Sequence, residues 1–174
     1  MNIHPFLVHF PIAFLSVYGF MELVRIKYIT SAIYWFYIKA SLVIIGSAGA
    51  VVAYLSGEAA EEFFGETRLI ETHSQWAEIA TIIFGSIAGL YVIVWLIRLE
   101  VFNRFENSLN LNNLQAYRII KSTTNYVVNS FIMILPASVG LISIVITGAL
   151  GGAIVYGPDI DPFVRFIYDM VMGF

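Results

Sequence analysis

Cysteine is absent from the chain, which excludes disulfides, thiolate metal sites, iron–sulfur ligation by the chain itself and covalent c-type haem attachment. Charge is scarce: 12% of the 174 residues are Asp, Glu, Lys or Arg, about half the fraction usual in a soluble domain. Positive charge is scarcer still, and a net charge of −3 leaves no basic surface suited to nucleic acid. The alternating apolar and polar strands of an outer-membrane barrel are missing too, so backbone satisfaction in lipid leaves helices. The first apolar run has no basic segment before it and no small-residue cleavage site followed by a mature domain. It is expected to be retained as a helix.

Apolar surface is what the chain has in abundance. Hydrophobic residues make up 59% of the sequence, mean hydropathy is +0.83, and the apolar residues gather into long runs, as in membrane spans. Four runs reach the ~20 residues needed to cross about 30 Å of hydrocarbon: residues 5–24, 32–56, 74–97 and 127–156. The expected fold is an all-α integral membrane four-helix bundle over residues 1–157, without a detectable internal repeat. Residues 158–174 form a separate tail.

Orientation follows from the cations. Arg25, Lys27, Lys39, Arg98, Arg104, Arg118 and Lys121 flank the first and third connections, whereas the other side carries only Arg68 and Arg165. That second side holds Glu58, Glu61, Glu62, Glu66, Glu71, Asp159, Asp161 and Asp169. A cell-membrane protein with both termini extracytoplasmic, N-out/C-out, is expected, with Asn103–Asn125 as its cytoplasmic loop and a short helix near Leu114–Ile120. In the tail, Asp161 is an N-cap candidate and Pro162 suits the first helical position. Phe163, Phe166, Ile167, Met170, Val171 and Phe174 then fall on one face of an amphipathic helix lying in the outer interface.

All three histidines, His4, His9 and His73, fall at the outer ends of the first and third spans. Alternating helix directions bring those ends together with Ser56-Gly57-Glu58 and with Gly151-Gly152-Ala153-Ile154-Val155-Tyr156. Ionisable groups at the membrane mark sites by default, and imidazole is the usual ligand of haem iron and transition metals. Pro5 suits a first helical turn, and Pro11 removes the amide bond back to Leu7, so the backbone near His9 is expected to open. Thr72 is a candidate N-cap for the third span, which would set His73 in its first turn. Ala77 and Ala80 lie one and two turns below His73, and such small residues leave room for a flat macrocycle. Gly46, Gly49, Ala50, Ala53 and Gly57 give the second span a smooth face, as do Gly148 and Gly152 in the fourth. Such faces chiefly serve close helix packing. Trp35, Trp76, Trp95 and Tyr156 read as an interfacial aromatic belt. Lys39 is expected to snorkel and pair with Glu22. Glu58, Glu61 and Glu62 form an acidic rim, and Glu78 is either a buried proton-handling group or a residue bonded to a neighbouring helix.

The strings HPFLVHFPIA, YLSGEAA and GGAIVYG, with the lone histidine of the third span, resemble a widespread family of prokaryotic membrane proteins of unknown function. That family is marked by HPxxVHFPIA, a glycine-containing end to the second span, and GGxLVY. The match covers essentially the whole chain and carries over to His4, Pro5, His9, Pro11, Gly57, His73, Gly151, Gly152 and Tyr156. Ile154 replaces the motif leucine, and Gly157-Pro158-Asp159 departs from the pattern after the tyrosine. Relatives fused to c-type cytochrome or Rieske-type domains imply respiratory electron transfer.

These features lead to one expected function: a b-type haem electron-transfer subunit of a respiratory or redox complex, with one haem near the extracytoplasmic face. Two histidines five residues apart on one short segment face about 140° apart and are poorly placed as an axial pair, so His73 is the constant ligand, with His9, the deeper of the two, preferred opposite it and His4 as the alternative. Gly57, Ala77, Ala80, Gly151, Gly152 and Tyr156 would border the cofactor. Expected partners are the lipid bilayer, other membrane subunits, an extracytoplasmic cytochrome or Rieske-type protein, and quinol. The alternatives are a cofactor-free structural subunit, or a copper or zinc site using the histidines and Glu58. Solute transport ranks last, for the spans lack paired broken helices and midplane charges.

Overall fold

The computed structural model describes residues 4–64 and 67–173, with side chains described outside 60–64. The expected positions Glu61, Glu62, Glu66 and Phe174 therefore lie outside the described residues or side chains. In chain order the α-helices are α1 (His4–Leu7), α2 (His9–Leu23), α3 (Lys27–Thr30), α4 (Ile33–Phe64), α5 (Arg68–Arg98), α6 (Glu100–Ser108), α7 (Gln115–Asn129), α8 (Ile134–Tyr156) and α9 (Pro162–Met172). Four stretches are long and apolar enough to cross a membrane: His4–Leu23, Ile33–Ala59, Arg68–Arg98 and Phe131–Tyr156. The protein is an all-α membrane bundle, and no strand occurs among the described residues.

The helix divides at Val8, between α1 and α2, although Val8 keeps right-handed backbone angles, donates to the His4 carbonyl at 3.1 Å and accepts from the Ile12 amide at 3.3 Å. Pro11 lacks the N–H that would have bonded Leu7, so the opening falls where the proline places it. The third span starts six residues earlier than the apolar run suggested. Its N-cap is Thr67, whose hydroxyl accepts from the Ile70 amide at 3.3 Å, whereas Thr72 donates back to the Arg68 carbonyl at 2.7 Å. His73 consequently sits in the second turn. At the fourth span the run beginning at Val127 is split, because Ser130 is extended and its hydroxyl accepts from the Ile132 amide at 3.2 Å. Val127 and Val128 belong to α7, which packs on α5; apolarity alone could not separate them from the span that follows.

Around the bundle the order is α2, α4, α5, α8. Helix α2 packs on α4 and α8, and α5 packs on the same two, so α2 and α5 are diagonal. The core is built from Leu15, Tyr18, Phe36, Val43, Phe84, Ile87, Tyr91, Val94 and Ala137. Gly46 and Gly49 on α4 let Leu15 and Pro11 approach closely, and Gly140 on α8 admits the Phe84 ring. Gly148, by contrast, faces open space. Within an apolar 18-residue stretch of each span only 28–39% of the residues are buried, and the outward residues include Val17, Phe20, Ile45, Val52, Leu55, Ile82 and Leu135. A surface so apolar requires lipid.

Asp161 caps α9, accepting from the amides of Phe163 and Val164 at 2.8 and 2.9 Å, with Pro162 in the first turn. The helix docks on the end of α8 through Val164 and Ile167, joined by Tyr168, Val171 and Met172. Phe163, Phe166 and Met170 stay exposed. The apolar arc is thus wider than a single face: one side meets the bundle and the other turns outward.

Candidate functional site at the histidine end of the bundle

Two histidines turn into the bundle and one does not. Seven residues separate His4 from Pro11, nearly two whole turns, so His4 lies on the face that buries Pro11, Leu15, Tyr18 and Glu22. Its Nδ1 lies 3.1 Å from the Ala53 carbonyl and 2.9 Å from the Ser56 hydroxyl. The Ser56 hydroxyl itself donates to Ala53 O at 2.7 Å, so its oxygen receives the imidazole N–H. That places a proton on Nδ1. Gly57 lets the ring rest against α4, since a Cβ there would stand 3.1 Å from His4 Cε1.

His73 repeats the arrangement on the diagonal helix. Its Nδ1 lies 3.0 Å from the Thr147 carbonyl of α8, which as an acceptor places the proton on Nδ1. A Cβ at Gly151 would lie 3.2 Å from His73 Cε1. Both imidazoles are half-buried. His4 leans on α4 and His73 on α8, each through a backbone carbonyl that a hydrogen-bonding helix would otherwise keep to itself.

Other expected site residues are distributed differently. Ala80 is buried and Ala77 half-buried on α5, below His73 as the spacing suggested. His9 is exposed, its Nδ1 2.6 Å from the Pro5 carbonyl one turn earlier. Gly152 faces Val164 of α9, so its small size serves the docking of the tail. Tyr156 is 72% exposed, and Glu58 and Glu78 are exposed as well. Among the described residues no group of three or more His, Asp or Glu side chains converges as a metal site. Beside this end a groove of about 600 Å³ runs between α5, α8 and α9, with Arg68, Gln75, Trp76 and Met170 among its walls.

The opposite end of the bundle holds a buried network that the sequence revealed only in part. Glu22, 1% exposed, accepts from Lys39 Nζ at 2.8 Å, Tyr18 at 3.0 Å and Tyr91 at 2.6 Å. Arg25 lies 3.7 Å from its second oxygen. The Lys39–Glu22 pair was legible, and Lys39 is itself buried. Tyr18, four residues before Glu22, could have been found from helical spacing. Tyr91, sixty-nine residues away, had no local signal.

No curated protein and no solved structure gives a significant match to this chain. The model of one family, described as "Predicted membrane protein (DUF2231)", matches residues 1–161, and the chain belongs to that family of membrane proteins.

Proposed function

We propose that the chain is a b-type haem electron-transfer subunit of a membrane redox complex, in which His4 and His73 would hold the haem. The observation that carries this reading is the shared seating of two imidazoles on diagonal helices, each with Nδ1 turned to a backbone carbonyl. An Nδ1–H bond of this kind orients the ring and raises the basicity of Nε2, the nitrogen that ligates iron. Gly57 and Gly151 seat the rings, and Ala77 and Ala80 keep the neighbouring wall low. His4 takes precedence over His9 because it shares the inward face with Pro11 and Leu15. A bound haem would supply reversible one-electron chemistry.

The chain's own residues do the rest. Ser56 and the Ala53 and Thr147 carbonyls hold the imidazole protons at Nδ1. The paired histidines sit at one end of the bundle, which suits exchange with a partner at that face and not passage across a ~30 Å core. By the distribution of cations that face is extracytoplasmic, with both termini outside. Its exposed Glu58, Glu71 and Asp161 favour a basic partner, such as an extracytoplasmic cytochrome or Rieske-type domain, by charge complementarity. Relatives fused to such domains fit the same reading, with quinol as a further candidate donor.

A structural reading has one observation in its favour: the same two hydrogen bonds tie α1 to α4 and α5 to α8, and would do so without a cofactor. A copper or zinc site has less support, because Glu58 and His9 do not converge with the inward pair. Reduced-minus-oxidised spectra of natively expressed protein, with metal analysis, separate the three. We expect b-type bands, lost in His4→Ala and His73→Ala and kept in His9→Ala. Folded wild-type protein without haem, or bands that survive both inward substitutions, would overturn the assignment.

A further inference from the structure

At the end opposite the histidines, three cationic side chains from three different segments meet at one cavity. Arg25 follows α2, Lys39 lies in α4 and Arg98 closes α5; together with Thr30, Ser31, Trp35, Phe36 and Asn129 they line a space of about 230 Å³. Glu22 is the carboxylate that the structure pairs with this group, at 2.8 Å from Lys39 and 3.7 Å from Arg25. Three cations against one carboxylate leave the cavity with an excess of about two positive charges at the edge of an apolar bundle. The cations are also held in place. The Arg98 guanidinium stacks on Phe36 at 3.7 Å, Phe36 stacks in turn on Tyr91, and Arg25 donates to the Ser130 carbonyl at 3.5 Å. Lys39 is fixed by Glu22.

We infer that this cavity is a binding site for a phosphate group, either the headgroup of an anionic lipid or free inorganic phosphate. A guanidinium offers several N–H donors in a plane and an ammonium offers three, while phosphate supplies acceptor oxygens to all of them. At the wall the Thr30 hydroxyl adds a neutral donor, whereas the Ser31 hydroxyl already donates to the Tyr28 carbonyl and the Asn129 amide to Asn125. Basic pockets between membrane helices suit lipid headgroups because the phosphate already lies at this depth. The inference is independent of the histidine site, which lies at the other end of the bundle.

The test uses the full chain in two arms. In the first, protein is reconstituted with equal phosphatidylcholine and phosphatidylglycerol, and lipid retained on release is counted by native mass spectrometry. In the second, protein in phosphatidylcholine nanodiscs is titrated into inorganic phosphate, and broadening of the phosphorus resonance is followed. The variants are Arg25→Gln with Arg98→Gln, and Ser31→Asp, which leaves every cation in place but adds a carboxylate at the exposed rim. At about fivefold per charge, the double variant is expected to weaken binding about twenty-five-fold and Ser31→Asp about fivefold. Retained phosphatidylglycerol identifies a lipid headgroup, and phosphate broadening without lipid retention identifies the free anion. Binding of neither probe by wild-type protein, or binding within twofold of wild type in a folded Ser31→Asp variant, overturns the proposal.

Discussion

Glu22 is the residue on which the bundle's polar interior turns. A carboxylate buried among apolar helices is tolerated only because Lys39, Tyr18 and Tyr91 satisfy it together. Lys39→Met strands that charge and is expected to destabilise the protein by about 3–5 kcal/mol. Adding Glu22→Gln removes the charge but keeps an acceptor for both tyrosines, so the double variant should recover most of the loss. Unfolding midpoints in mixed micelles measure both; a double variant no more stable than Lys39→Met would show that the network does not work through charge. The same logic of satisfaction explains why His4 and His73 each reach a backbone carbonyl. It also explains why His9, which turns outward, bonds within its own turn to Pro5.

Among the elements, the helices outside the membrane are held by means different from those of the spans. Leu99 breaks the chain between α5 and α6, and Asn110 takes left-handed angles in the turn that returns it toward α7, a conformation asparagine tolerates. The connection is then pinned by Lys121, whose ammonium donates to both oxygens of buried Glu106 at 2.7 and 3.0 Å. This hydrogen-bonded cation holds the Glu106 carboxyl below the usual carboxylate range, against the opposing effect of desolvation. A depressed carboxyl stabilises the folded arrangement fully above its unfolded pKa of about 4.3, and that contribution is lost as pH falls through the lower folded value. Amide exchange across residues 115–129, corrected for intrinsic rate, should therefore accelerate below about pH 4. Lys121→Met should show fast exchange already at neutral pH. An exchange profile indifferent to both changes would mean that α6 and α7 are held together by packing alone.

For the whole molecule, the distribution of charge and the arrangement of helices make separate statements. Seven cations at one end against two at the other set an expected sidedness, and His4 and α9 lie at the end with two. Because the chain has no cysteine, single substitutions report topology without background. Asp159→Cys should react with a membrane-impermeant maleimide on intact cells, and Asn113→Cys only after permeabilisation. The reverse pattern would move the histidine site to the cytoplasmic side and remove the extracytoplasmic partner.

The number of spans, their helical nature, the capped tail and the gathering of histidine-bearing ends at one face were legible from sequence. Each depends on local composition or on the parity of membrane crossings, which a linear pattern contains. Span limits were less legible: Thr67 and Thr72 offer the same side chain, and Val127 is as apolar as the span it precedes. Only the tertiary structure decided which imidazole faces inward, because that depends on the rotation of α1 against α4 and on the glycine at position 57 that admits the ring. It also decided that Tyr91 completes the Glu22 network, and that Arg25, Lys39 and Arg98 enclose one cavity. Those contacts join residues far apart in the chain, and helix rotation, which sets them, is fixed by packing between helices and not by any single segment.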